Sequence, residues 1–439
     1  QLDNSPFNHL LCNQRLAELV EISGNYRDKT FSPLVTLNAF LWQTLSDNGS
    51  CKEAVAHIFS ERLQQKLPVN SVNTGPYCKA RRRLSLQWIT EEVRRIGLIL
   101  HNNVSSMWKW KGFNVVLVDG TTVLMPDTEA NQAVYPQQHV QKPGLGFPIA
   151  RIVGLISLGA GTVTDYAIGP HQGKGTGEMS LFSKLIDSLH SGDLLLADRY
   201  YSTYATLAIL SRKNIAFVSQ NHAQKKPDFK AGHKLATKDH IVEWKKPKKK
   251  PVWMTKEEYA LLPNTLTVRE LSVHGVIYVT TLLDDKTYPK KEIVDLYKER
   301  WKVELDFRSL KSDLKMEMLR CKTPEMVEKE IAVRFMAYNL IRGNMAASAN
   351  DHNKIPRQLS FKASVQLLRA VQNQLGRVSK LIMNQQYYCL LKALASTLIG
   401  RRKRPPQPRV IKRRPKAYPL MTKPRSEECE QLRKGYCTS

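Results

Sequence analysis

Glu304 stands among a phenol and three cations in the run Tyr297-Lys-Glu-Arg300-Trp-Lys-Val-Glu304-Leu-Asp-Phe-Arg308-Ser-Leu-Lys311. Steps of three, four and seven residues put Tyr297, Arg300, Glu304 and Lys311 within roughly 60° of one helical face, and Arg308 joins them. One residue behind runs an apolar stripe, Leu296, Val303, Phe307, Leu310 and Leu314, so a helix can bury that side and hold the polar one at the lip of a groove. A solvated face on which Glu304 pairs with Arg300, Arg308 or Lys311 would look similar. Two aspartates argue for more. Asp119 and Asp198 each end a short apolar run that reads as a buried strand. Three carboxylates from separate elements, with phosphate-binding side chains beside one of them, are what a two-metal phosphoryl-transfer site needs.

The spacing Tyr-x2-Arg-x3-Glu-x6-Lys, filled by Tyr297, Arg300, Glu304 and Lys311, resembles the signature of the insertion-sequence-four family of DDE transposases. Val118-Asp119-Gly120-Thr121 and Leu196-Ala197-Asp198-Arg199-Tyr200-Tyr201-Ser202 resemble the blocks that carry that family's first and second catalytic aspartates, although many members have a small residue where this chain has Tyr200. The likeness covers roughly residues 110 to 320, in order. It implies an α/β, ribonuclease-H-like catalytic core with a β-rich insertion between the second Asp and the Glu. It also implies Asp119, Asp198 and Glu304 as catalytic and metal-binding residues for two Mg²⁺ or Mn²⁺ ions. Tyr297, Arg300 and Lys311 would hold phosphates, a task suited to a phenol, a forked guanidinium and a point charge. Arg199 and Arg308 are taken as further DNA contacts.

The expected reaction is cut-and-paste transposition of an insertion sequence: water nicks the element end, and the freed 3′-hydroxyl attacks target DNA. The implied partners are double-stranded terminal inverted repeats and target DNA, with a homodimer when two ends are paired. A stand-alone nuclease on the same core and a catalytically silent DNA-binding descendant are the alternatives. Asp127, Asp165, Glu178 and Asp306 compete for the acidic roles, but Asp306 points about 200° away from Glu304 on a helix, and a polar strand face accounts for Asp165. His139 and His171 read as loop residues rather than metal ligands.

Composition narrows the class. The 439 residues are 42% hydrophobic and 24% charged, ordinary for a globular chain of two or three domains. The net charge of +28 and the pI near 9.8 are not ordinary, and they point to a polyanion bound in a salt-sensitive way. No apolar run is long enough to span a bilayer and no leader opens the sequence, so a cytoplasmic, nucleoid-associated protein without membrane contact is expected. Seven cysteines with no Cys-x-x-Cys pair argue against a zinc site or disulfide framework.

Along the chain, residues 1–110 read as a helical DNA-binding domain. Ser50 and Glu53 fit a capping box after the turn Asp47-Asn48-Gly49, a helix-turn-helix is possible, and Arg81, Arg82 and Arg83 would give a basic helix. Residues 111–324 form the catalytic domain, with hairpin-like strands at 113–119, 152–158 and 162–168, a long loop from Pro126 to Pro148 over the site, and a helix from Glu178 to His190. The Gly173–Gly177 stretch lacks phosphate-loop spacing. The insertion, 222–285, carries ten lysines against three acids between 225 and 250, with Trp244 and Trp253 either stacking on an unpaired base or anchoring the small β-subdomain. A helical region, 325–400, precedes the basic tail 401–439, whose thirteen Lys/Arg, three Glu and scattered prolines read as disordered. The surpluses of seven and ten in those two segments make 17 of the +28.

Overall fold

The computed structural model describes residues 10–24, 30–68, 71–222, 225–371, 380–400 and 420–434. Five helices come first: α1 (Asn13–Ile22), α2 (Pro33–Leu45), α3 (Cys51–Gln64), α4 (Thr74–Arg83) and α5 (Leu86–Asn102). Ser32, Ser50, Asn73 and Ser85 each accept a first-turn amide, which fixes where α2 to α5 begin. The capping box forms by half. Ser50 Oγ accepts from Glu53 N at 3.1 Å, but the Ser50 amide donates to Asn48 Oδ1 at 2.8 Å, because the turn's own Asn competes for it.

From Asn114 the period becomes two. Strands β1 (Asn114–Leu124), β2 (Ile149–Ser157) and β3 (Val163–Pro170) pair antiparallel in chain order, while β4 (Asp193–Ala197) lies parallel to β1, and β5 (Ala216–Gln220) parallel to β4. The connections hold α6 (Glu129–Val134), α7 (Glu178–Phe182) and α8 (Tyr204–Arg212). The expected long loop therefore contains α6, tied down by buried Asn131, whose amide donates to the Cys321 carbonyl. The helix expected to reach His190 stops at Phe182. Beyond it Ser188 is drawn to the buried Asp165 of β3, which also pairs with Arg94.

The insertion continues the same sheet. It contributes β6 (His233–Ala236), β7 (Asp239–Lys245), α9 (Lys256–Ala260), β8 (Thr265–Val273) and β9 (Val276–Thr280), and β9 pairs antiparallel with β5. Among the described residues the order is β3-β2-β1-β4-β5-β9-β8-β7-β6. Strand alternation sorts two cores. Val115, Leu117, Ile152, Leu194 and Leu196 face one side, and Val116, Val118, Val153, Leu195 and Ala197 face the other, with α7 and α8. The first core also holds Leu16, Leu37, Trp88 and Ile96, so the N-terminal helices share it. Where α5 crosses β3 the approach is close: a methyl on Gly97 would lie 2.0 Å from the Val163 carbonyl oxygen.

Helices α10 (Lys290–Lys298), α11 (Lys302–Ser312), α12 (Pro324–Asp351), α13 (Phe361–Val371) and α14 (Lys380–Ser396) follow. The single helix expected from Tyr297 to Lys311 is interrupted by a 3₁₀ turn at Glu299–Trp301. The apolar stripe behaves as expected, with Leu296, Val303, Phe307, Leu310 and Leu314 all buried. Residues 401–419, most of the basic tail, lie outside the described residues, but the stretch after them forms α15 (Arg425–Arg433). Pro424 precedes that helix, where its missing N–H is not needed, and Glu427 and Glu428 in the first turn suit the helix dipole.

Asp306 fastens α11 from behind. Fully buried, it accepts from Tyr338 Oη (2.9 Å) and Arg342 Nη2 (2.8 Å) on α12, and from Arg357 Nη1 (2.6 and 2.7 Å). Arg357 in turn donates to the Ser157 and Leu158 carbonyls at the end of β2. Asp306→Ala strands two buried guanidiniums and is expected to destabilise the protein by about 3–5 kcal/mol in urea unfolding; a loss under 1 kcal/mol would show that the network is not cooperative with folding.

Candidate catalytic site

Asp119 is not at a strand end. It sits within β1 opposite Gly154 of β2, because residues 120–124 continue to pair. Its position keeps the parity of Val115 and Leu117, so the carboxylate emerges on the α11 face. Bare Gly154 lets Phe307 of α11 lie over it: a methyl there would be 3.2 Å from Phe307 Cζ. Glu304, one turn earlier, is thus carried toward Asp119. Asp198 follows β4 directly. In the parallel pairing Leu117 matches Leu196, so Asp119 and Asp198 each stand two residues beyond a matched pair on neighbouring strands, which lie about 4.8 Å apart. The Asp198 carboxylate accepts from Tyr200 N at 2.8 Å, and its carbonyl accepts from Ser219 Oγ of β5 at 2.8 Å.

Arg300, in the 3₁₀ turn, joins the first and third carboxylates. Its Nη2 donates to Glu304 Oε1 at 2.9 Å, and its Nη1 lies 3.9 Å from Asp119 Oδ2. Burial pushes the Asp119 carboxyl up to about 6, with Asp198 and Glu178 adding to the rise against the Gly120 amide and Arg300. Burial likewise raises Glu178, and Asp198 adds to it. Glu178 lies against Gly120, the residue after Asp119, on the α7 face of the sheet, a placement its position in sequence did not reveal. Beneath them Tyr201 is fully buried with an unpartnered hydroxyl, raised well above the phenol range by burial and by Glu178, Asp119 and Asp198.

The other expected contacts divide. Tyr297 is buried rather than at a lip, edge-on to Tyr278 at 5.2 Å, and burial raises its pKa. Lys311 is half-buried, and burial lowers its pKa. Arg308 is exposed and lines a cavity with Lys302, Asp306 and Asp313. Arg199 is exposed beside Asp198.

Of the basic trio on α4, Arg82 and Arg83 are exposed, but Arg81 is buried between Phe40 and Tyr77 and donates to Gln43. An arginine that closes a helical core is not available to a phosphate. Trp244 is also core: 9% exposed, it donates to Glu270 at 3.0 Å, and the Lys225 ammonium sits 3.0 Å from its ring centroid. Trp253 packs, partly buried, on the same core. Both indoles face inward because β7 and the segment before α9 need apolar cover on that side of the sheet, and Trp244 has no free face for stacking.

Carboxylate oxygens suit a hard divalent cation. Among the described residues no three His, Cys, Asp or Glu side chains close round one point, since Glu304 leans on Arg300.

A family model described as a transposase DDE domain matches residues 110–340. The class is therefore that of DDE transposases, enzymes that cleave DNA and transfer strands through divalent metal chemistry. The chain is 30% identical over 388 residues, 84% of its own length and 83% of the relative's, to "Transposase InsG for insertion sequence element IS4" of Escherichia coli (strain K12). Over 71 residues, 16% of the chain and 19% of the relative, it is 35% identical to "Putative transposase InsL for insertion sequence element IS186A" of the same organism. A piggyBac transposase synaptic complex with hairpin DNA aligns with a TM-score of 0.45 at 11% identity, covering 99% of this chain and 90% of that one. This chain belongs to the IS4 family of DDE transposases, and its function is that of a DNA transposase.

Because Asp119 holds its proton up to about pH 6, a cation must displace that proton in acid. Mn²⁺ affinity measured by calorimetry is expected to be flat above pH 7 and to fall by about tenfold per pH unit below 6. An equally steep fall in Asp119→Asn, measured on whatever binding remains, would assign the proton elsewhere.

Proposed function

We propose that Asp119, Asp198 and Glu304 are the catalytic trio of a cut-and-paste reaction on the ends of an insertion sequence. The observation that carries this is the single guanidinium, Arg300, within 4 Å of both Asp119 and Glu304, while Asp198 stands in register on the next strand. Sheet order β3-β2-β1-β4-β5, with the first three antiparallel and the next two parallel, supports a ribonuclease-H-like core. Mg²⁺ or Mn²⁺, bound as two ions, would activate the attacking oxygen and stabilise the leaving one.

The chain's own groups do the rest. Arg300 neutralises the carboxylates before loading and, once Glu304 leaves it, is free to take a phosphate in a forked contact. Lys311 and Arg199 would supply further phosphate contacts, and Tyr297 braces Arg300 from the buried side. Water serves as the first nucleophile and the 3′-hydroxyl as the second at one site, with no covalent enzyme intermediate. We assign residues 1–110 to end binding through Arg82 and Arg83, 111–324 to catalysis, 222–285 to the insertion and 325–400 to support of the α11 helix. The partners are terminal inverted repeats and target DNA, with a homodimer pairing two ends. No helix among the described residues is long and apolar enough to cross a membrane, in keeping with action on the nucleoid in the cytoplasm.

Asp119→Ala, Asp198→Ala and Glu304→Ala are each expected to abolish nicking and strand transfer of a labelled end while mobility-shift binding persists. Nicking at the wild-type rate by any one of them would remove that residue from the trio, and wild-type protein that binds ends without nicking in Mg²⁺ or Mn²⁺ would mark a silent descendant. Removing residues 401–439 is expected to flatten the salt dependence of non-specific DNA binding, since fewer counterions are released; an unchanged slope would assign the tail to another task.

A further inference from the structure

Beside α11 lies a cavity of about 340 Å³ that the trio leaves unused. One side is α11 from Lys302 onward, and another is the start of α13, Ser360 to Lys362. Arg308 stands four residues after Glu304, so it leaves the helix only about 40° round from it and links the Glu304 face to the cavity.

Five cations and two carboxylates line the space. The carboxylates do not cancel the cations. Asp306 is held between Arg342 and Arg357, Lys302 is paired with Glu299 from outside, and burial raises the Asp313 carboxyl against the pull of Lys362 and Arg308. Arg308 and Lys362, both exposed, make no hydrogen bond or salt bridge among the described residues.

A rim of lysine and arginine is ordinary, but two further features mark this one. Ser360 caps α13: its hydroxyl accepts from Ala363 N at 3.3 Å and its carbonyl from Ser364 N at 3.0 Å. The amides of Phe361 and Lys362 are left without an acceptor among the described residues, at the positive end of the helix dipole. Independently, Arg342 of α12 lines the cavity although it is only 5% exposed. It donates through Nε to Tyr338 Oη and through Nη2 to Asp306, and its Nη1 has no acceptor among the described residues. Free amides, a buried guanidinium and two unpaired cations are all donors, the complement of a group with several anionic oxygens.

We propose that this cavity binds a backbone phosphate of DNA that runs along α11 beyond the catalytic face. The path of the DNA rests on the reading of Glu304 as catalytic; the phosphate site rests on the cavity alone. A phosphate held there lies roughly 6–12 Å along α11 from Glu304, so it fixes the strand's register at the cleavage point from outside the trio. Element end and target DNA both carry such phosphates.

The test is phosphate-ethylation interference on binding by the full chain, read on a labelled element end and, in the strand-transfer complex, on target DNA. In Arg308→Ala and in Lys362→Ala, interference is expected to vanish at one and the same phosphate while the other positions keep theirs. The slope of log affinity against log salt is expected to fall by about one in each, with unchanged melting curves because both side chains are exposed. Loss on the end, on the target or on both supports the proposal and names the DNA. A pattern identical to wild type on both DNAs, or a weakening spread evenly over every phosphate, overturns it. Because binding is read, nicking by Asp119→Ala would sink the trio and leave the phosphate result standing.

Discussion

Where Glu304 stands is decided by a residue that never faces the site. Asp306, two positions on, is buried against Tyr338, Arg342 and Arg357, and Arg357 reaches the last carbonyls of β2. A buried charge must be compensated in place, and here three donors on two separate segments converge on one carboxylate. The network sets the rotation of α11 and presses it toward the sheet. Phe307 then lies over Gly154, opposite Asp119 in the ladder, and the polar face of α11 turns to Arg300. The position of Glu304 is in this way inherited from a salt bridge on the back of the helix.

The sheet supplies the second constraint. Strands β1 and β4 run parallel, and the Leu117–Leu196 match brings Asp119 and Asp198, each two residues further on, to neighbouring positions. Their proximity has an electrostatic consequence. Burial and like charge together keep Asp119 partly protonated near pH 6, and Arg300 offsets only part of that.

Charge elsewhere follows a different logic. The insertion and the tail carry 17 of the +28 in the sequence, a surplus that suits a salt-dependent grip on a polyanion. Arginines that must hold a shape are instead inside: Arg81 under Phe40 and Tyr77, Arg269 paired to Asp239, and Arg342 on Asp306. The same side chain serves both purposes, and burial separates them.

The sequence alone determined what depends on spacing and local chemistry. Residue types three and four apart marked the Glu304 helix and its buried stripe, apolar runs marked the strands of Asp119 and Asp198, and the order of three motifs marked the family. It could not determine which arginine of Arg81-Arg82-Arg83 turns inward, that Trp244 is sealed between Glu270 and Lys225, that a 3₁₀ turn separates Arg300 from the helix of Glu304, or that Glu178 comes to rest against Gly120. Local periodicity says which side of an element is apolar, whereas the partner that covers a side chain comes from another part of the chain. Only the folded structure decides that, because contacts across a sheet or between helices leave no period in the sequence.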